Sequence, residues 1–305
     1  MMILFVILHM LRTFFMGAYK KPREITWVIG VMLLGITFTF GFTGYLLPWN
    51  QLSYWATTVG TEVAGAIPLF GHFLKYLLRG GEAVGAETLA RFFDLHVIVL
   101  PWVAVALMSA HIFLMRVQGL ASLEPVGVEP IYTEKDGIPF FPDHTLTELS
   151  IFSLFFLGLL TIVVLIPVEL GEKANPFVTP EGIKPEWYFL PTYQLLKYFP
   201  KLLGIITSML PILVLFLLPF IDRKNPERRP SKRRLSVSLG IAAVMLAVFF
   251  GIVGHFSESN IKIGSNIYHI DLYGIPHRLK QDKLLQESSK KGGSEEMTRL
   301  KERGV

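Results

Sequence analysis

Six apolar runs divide the chain, and polar residues collect between them. The runs cover residues 1–16, 26–47, 89–114, 149–168, 202–220 and 235–254. A helix needs about 20 apolar residues to cross hydrocarbon. The last five runs meet that length, and the first is short for a span. Lys20, Lys21 and Arg23 follow the first run, and Arg116 ends the third. Seven basic residues lie between the fifth and sixth runs, at 222–234. If the spans alternate, these three places share one side, and the positive-inside rule makes it cytoplasmic. Loops 48–88 and 169–201 then lie outside. Both are long and rich in aromatics, Gly and Pro, so they are expected to fold partly against the bundle.

The pattern predicts an all-α integral membrane protein, multi-pass in the cell membrane. Residues 1–117 form a front region and 149–254 a rear region. The polar segment 118–148, with Pro125, Pro130, Pro139 and Pro142, is expected to link them. Residues 255–305 form a polar tail, disordered from Glu287 onward.

Composition narrows the classes. The chain is 51% hydrophobic, with positive mean hydropathy, which excludes an ordinary soluble domain. The net charge of +5 needs no nucleic acid, because loop basics account for it. The absence of Cys excludes, within this sequence, a disulfide, a Cys-ligated iron–sulfur cluster and covalent haem attachment. The opening residues lack a basic leader and a small-residue cleavage site, so they do not read as a signal peptide.

Three histidines lie inside apolar runs: His9 in the first, His96 and His111 in the third. An imidazole in hydrocarbon is costly and marks a functional site. The other reading of a lone membrane His is a satisfied structural hydrogen bond. His111 follows His96 by fifteen positions, roughly 22 Å along a helix and on nearly the same face. That spacing suits ligands for two stacked haems, one near each membrane face. Gly30 and Gly44, fourteen positions apart, lie roughly 21 Å apart on the second run and would let a flat macrocycle approach the backbone. Small-residue helix packing is the alternative. Arg12, Arg91 and Arg116 lie three to five residues from a histidine. They are candidates for haem propionates or plain interfacial anchors. Asp94 is unexpected in so apolar a run. His72, His144, His255, His269 and His277 read as surface residues.

Several ordered motifs resemble cytochrome b of the quinol-oxidising bc complexes, and its b-six-f branch in particular. They are MMILFVILHMLR at 1–12, KKPREITW at 20–27, GFTGYLLPW at 41–49, the segments 91–96 and 111–119, and KPEWYFL at 184–190. The fifteen-residue His spacing matches the b-six type, whereas the mitochondrial type uses fourteen. The rear region resembles the separate subunit IV of that branch, fused here to the front. The resemblance implies a haem-binding four-helix bundle whose first helix is missing, followed by a three-helix subunit-IV-like region. It pairs His9 with His111 on a high-potential haem b. It assigns His96 to a low-potential haem b whose other ligand would precede Met1. A start codon placed too far downstream is the simplest account of that missing ligand. The branch also holds an extra covalent c-type haem through a Cys on the first helix, which this sequence neither implies nor excludes.

The same resemblance makes Glu186 the proton acceptor of an outer quinol site. Tyr188 would offer a hydroxyl, and Pro185 and Trp187 would stiffen the loop. The implied activity is that of a quinol:cytochrome c, or plastocyanin-type, oxidoreductase contributing to proton-motive force. The implied partners are a Rieske iron–sulfur protein, a c-type cytochrome and a second copy of the complex. A di-haem membrane anchor of a quinone-linked dehydrogenase or hydrogenase would share the histidines but not the PEWY loop. A proton-relaying transporter would bind no haem.

Overall fold

The computed structural model describes residues 2–128, 137–167, 169, 171–180, 182–264 and 266–279. Pro130 of the expected linker and the tail from Glu287 lie outside these residues. Five helices are long and apolar enough to cross a membrane, and each matches one of the last five apolar runs. The first run forms a shorter apolar helix, α1 (Met2–Phe15). Its end is closed by Gly17 at φ 60°, a left-handed turn that glycine adopts without steric cost. There the Gly17 amide donates to the Phe14 carbonyl and the Ala18 amide to that of Thr13.

Helix α2 (Glu24–Leu46) starts with an acid in its first turn, favourable beside the positive helix terminus. The loop after it forms two short helices, α3 (Gln51–Gly65) and α4 (Gly71–Arg79). The third run is one helical segment, Ala86–Gln118. It comprises α5 (Ala86–Asp94), a π-helical stretch Leu95–Val99, and α6 (Leu100–Gln118). Pro101 explains the interruption. It has no amide hydrogen for the carbonyl of Val97, and its ring crowds that carbonyl. The helix widens there, and the Leu100 amide reaches back to the Leu95 carbonyl. Such π segments collect at functional sites, and His96 lies in this one. The rear helices are α7 (Thr145–Leu165), α8 (Leu190–Lys197), α9 (Lys201–Ile221) and α10 (Arg234–Phe256). The turn Phe140–His144, extended at Phe141, leads into α7, which begins inside the polar segment 118–148.

The chain divides into two compact units. The first holds the residues up to Gly65, Phe70–Thr179 and Ile212–Leu239. Within it α2 packs against α1, α3, α5 and α6. Two apolar clusters mark its ends. Tyr19, Trp27 and Val31 pack with Met10, Phe14 and Leu215 at one end. Leu46, Tyr54, Val84 and Phe92 pack with Phe42 and Trp49 at the other.

The second unit holds Ala66–Leu69, Pro180–Pro211 and the described residues from Gly240 on. Here the polar tail departs from an all-helical reading. Strands β1 (Ser259–Ile263), β2 (Asn266–Ile270) and β3 (Pro276–Arg278) form an antiparallel sheet in the order β1-β2-β3. Gly264 at φ 61° turns the first hairpin, and β-branched Ile261 and Ile263 in β1 and Ile267 and Ile270 in β2 suit the strands. The sheet is tied to α8: Gln194 Nε2 donates to the Leu272 carbonyl, the Tyr198 hydroxyl to that of Tyr273, and Lys197 pairs with Glu258.

Candidate functional site

The first unit brings the rings of His9 and His111 together edge to face: their centroids lie 6.5 Å apart, with planes inclined at 74°. A metal–imidazole bond is about 2 Å long. One metal between two imidazoles therefore sets their centroids roughly 6 Å apart. The separation has room for a single metal held by both rings, and it also lies in the range of a plain edge-to-face ring pair.

Both histidines of the third run turn toward α2. A Cβ on Gly30 would come within 3.3 Å of His111 Cε1, and one on Gly44 within 2.6 Å of His96 Cε1. The two glycines thus admit the imidazole rings themselves. His96 is held further. Its Nδ1 lies 3.0 Å from Thr43 Oγ1, and its ring meets that of Phe40 edge-on at 5.2 Å. His111 Nδ1 is buried and makes no hydrogen bond of good geometry, its interaction with the Thr26 backbone being a weak one.

The arginines divide. Arg12 and Arg116 are exposed and free to reach an anionic group at the helix ends. Arg91 is engaged elsewhere, donating to the carbonyls of Tyr76 and Leu77 at the end of α4. A close approach to Gly80 permits this contact. Asp94 is exposed.

A buried polar cluster lies at the α1–α2 turn. Tyr19, Lys20 and Arg233 are 0%, 3% and 2% exposed. The Tyr19 hydroxyl donates to Asp222 Oδ2 and accepts from Arg233. Lys20 pairs with the same carboxylate at 3.0 Å and donates to the Asn225 carbonyl at 2.7 Å. Arg233 also donates to the carbonyls of Phe14 and Phe15 at 3.1 and 3.3 Å, capping the helix that carries His9. Burial, then the Asp222 bond, pushes the Tyr19 phenol well above its ordinary range. Burial lowers Lys20 despite its carboxylate partner. Sequence reading used Lys20 only as a loop basic that orients the chain, and it missed Tyr19, Asp222 and Arg233. The available signal was Asp222, an acid heading a basic run.

In the second unit, Glu186 precedes α8. Its carbonyl accepts the amides of Phe189 and Leu190 at 2.8 and 3.2 Å, which turns the chain into the helix. Glu186 is half-buried and Trp187 is exposed. Trp187 and Tyr188 meet edge-on at 5.5 Å. Burial, with Glu186 adding to it, raises the Tyr188 phenol. Burial, then Lys197, lowers Lys184, whose ammonium donates to the His255 carbonyl. The loop therefore presents a carboxylate beside a phenol that stays protonated.

Comparison with known proteins agrees with this arrangement. A family model described as Cytochrome b(N-terminal)/b6/petB matches residues 1–181. A second, Cytochrome b(C-terminal)/b6/petD, matches residues 173–269. The rear match disfavours a di-haem anchor. The cytochrome b subunit of a Chlorobaculum thiosulfatiphilum cytochrome bc complex is 41% identical over 262 residues, covering 84% of this chain and 60% of that one. Cytochrome b of Rickettsia conorii is 42% identical over 223 residues, covering 71% of this chain and 55% of that one. The chain thus spans under two thirds of the length of these relatives. A chain of a solved hyperthermophilic respiratory Complex III superposes with TM-score 0.72 at 31% identity, covering 83% of this chain and 68% of that one. With both family models matched in order along its helices, this multi-pass integral membrane chain belongs to the cytochrome b family of bc-type complexes.

Proposed function

We propose that the chain is the cytochrome b subunit of a quinol:cytochrome c, or plastocyanin-type, oxidoreductase. The observation that carries this reading is the 6.5 Å separation of the His9 and His111 rings, which suits one iron held from both sides. His9 and His111 would hold one haem b between them, and His96 would hold a second. Bound there, the haems would supply one-electron transfer across the bilayer. Gly30 and Gly44 allow the ligand rings to lie close to α2. Arg12 and Arg116 are positioned to pair with propionates, and Arg91 braces the loop helices.

Membrane quinol is the substrate, bound at the PEWY loop. Oxidising it releases two protons and two electrons. Glu186 accepts a proton, while the Tyr188 hydroxyl remains protonated and donates a hydrogen bond. Pro185 and Trp187 restrict the loop. The two electrons would divide between a Rieske iron–sulfur protein with its c-type cytochrome and the bound haems. The complex is a dimer.

Two measurements on the native purified complex test this. Redox titration of b-type absorbance, normalised to this subunit, is expected to show two components at distinct potentials. No component dependent on His9 or His111 would overturn the haem assignment. Glu186→Gln is expected to slow quinol oxidation by roughly 10²-fold or more, the usual weight of a general base, with haem content unchanged. Parental turnover in that variant would remove Glu186 from the chemistry.

A further inference from the structure

We infer that Thr43 is a positioning residue for the haem held by His96: its hydroxyl accepts the Nδ1 proton of His96, aims Nε2 at the iron, and lowers the potential of that haem. This rests on His96 being a haem ligand, as proposed above.

The argument starts from the inventory of a single hydroxyl, which has one proton and two lone pairs. Thr43 Oγ1 lies 2.9 Å from the carbonyl of Thr39 one turn back, the habitual donor contact of a helical threonine. With its proton placed there, the hydroxyl can only accept from His96 Nδ1 at 3.0 Å. Nδ1 must then carry the ring proton, and the Nε2 lone pair is left for a metal. The contact is shielded from water, because Thr43 is 2% exposed.

The neighbours of Thr43 support the same role. Phe40, Thr43 and Gly44 lie on one face of α2 and all touch the His96 ring. Phe40 abuts it edge-on, Gly44 makes room for it, and Thr43 fixes its rotation. The π-helical stretch gives His96 its own local path on the opposite helix. His111 has no side-chain counterpart to Thr43 among the described residues; the polar group beside its ring is the Thr26 backbone.

An acceptor on Nδ1–H raises the basicity of the ligating nitrogen. A more basic ligand stabilises ferric over ferrous iron, so the bond lowers the reduction potential. Thr43→Val removes the hydroxyl at nearly constant shape, and Thr43→Ser keeps it. In the native complex, Thr43→Val is expected to raise the midpoint of one b component by about a tenfold change in its reduction equilibrium, ~59 mV for a one-electron couple. The ferric low-spin EPR signal of that haem shifts with it. The other component keeps its midpoint, and Thr43→Ser stays near the parent. Loss of that haem in Val with retention in Ser also supports the inference, because the hydroxyl is then needed to seat the ligand. Unchanged midpoints and EPR in Val overturn it, as do equal shifts of both haems or a Ser variant that shifts as far as Val. His96→Leu separates the two levels. If it removes no haem, the assignment of His96 fails and this inference with it. If it removes one and Val is silent, only the role of Thr43 fails.

Discussion

His96 and His111 stand on one helical segment and face the same neighbour, yet they occupy different surroundings. Each ring lies over a glycine of α2. His111 has a second imidazole opposite it and a poorly bonded Nδ1. His96 faces an aromatic edge and has its Nδ1 tied to a threonine. Two copies of one residue type on one scaffold can therefore offer a metal different basicity. The tools are those of second-sphere tuning, namely a hydrogen bond and a packed ring.

The comparison breaks most sharply at the ligands. His111→Leu is expected to abolish the b-haem absorbance of one component and leave the other, while His96→Leu does the converse. Loss of both signals from either change would mean the sites are not separate. Next in size is the cluster beneath His9. Arg233→Gln removes one buried donor from Tyr19 and Asp222, while Lys20 stays on the carboxylate, a change expected to cost about 1–3 kcal/mol. It also uncaps the α1 carbonyls of Phe14 and Phe15. The expected result is a lower denaturation temperature in detergent, with the His9/His111 haem lost before the His96 haem. Simultaneous loss would show that the network supports the whole unit rather than one site. Smallest is the contrast between the glycines. A Cβ at Gly44 must displace a ring 2.6 Å away, whereas at Gly30 the gap is 3.3 Å. Gly44→Ala is expected to cost about 1–3 kcal/mol, as overpacking does, and to weaken retention of the His96 haem. Gly30→Ala should do less to the His111 haem, as read by haem stoichiometry. The reverse order would mean the rings, not the glycines, give way.

The apolar runs made the helices readable, because length and hydrophobicity act locally along the chain, and the burial cost of imidazole singled out three histidines as candidates. The PEWY loop was readable only through resemblance, since nothing in its spacing demands a quinol. Three features escaped for physical reasons. Tyr19 and Arg233 meet across 214 positions, a pairing that no local pattern encodes. Thr43 resembles any helical threonine bonded to the carbonyl a turn back, so its second contact is silent in sequence. Arg91 has the right spacing from His96 for a propionate, but the carbonyls at the end of α4 come nearer. The tail sheet was more accessible. Its four isoleucines between 261 and 270 and Gly264 were visible, but overall polarity outweighed them.

The π-helical stretch also bears on how such a chain can change its length. The glycines on α2 are fourteen positions apart and the facing histidines fifteen. The widened turn at Leu95–Val99 takes up the surplus residue, so both rings still meet their glycines. Removing one residue at this turn is expected to restore a regular helix without altering the register of His111. Removing one between 102 and 110 would instead swing His111 by about 100° around the helix axis, away from His9.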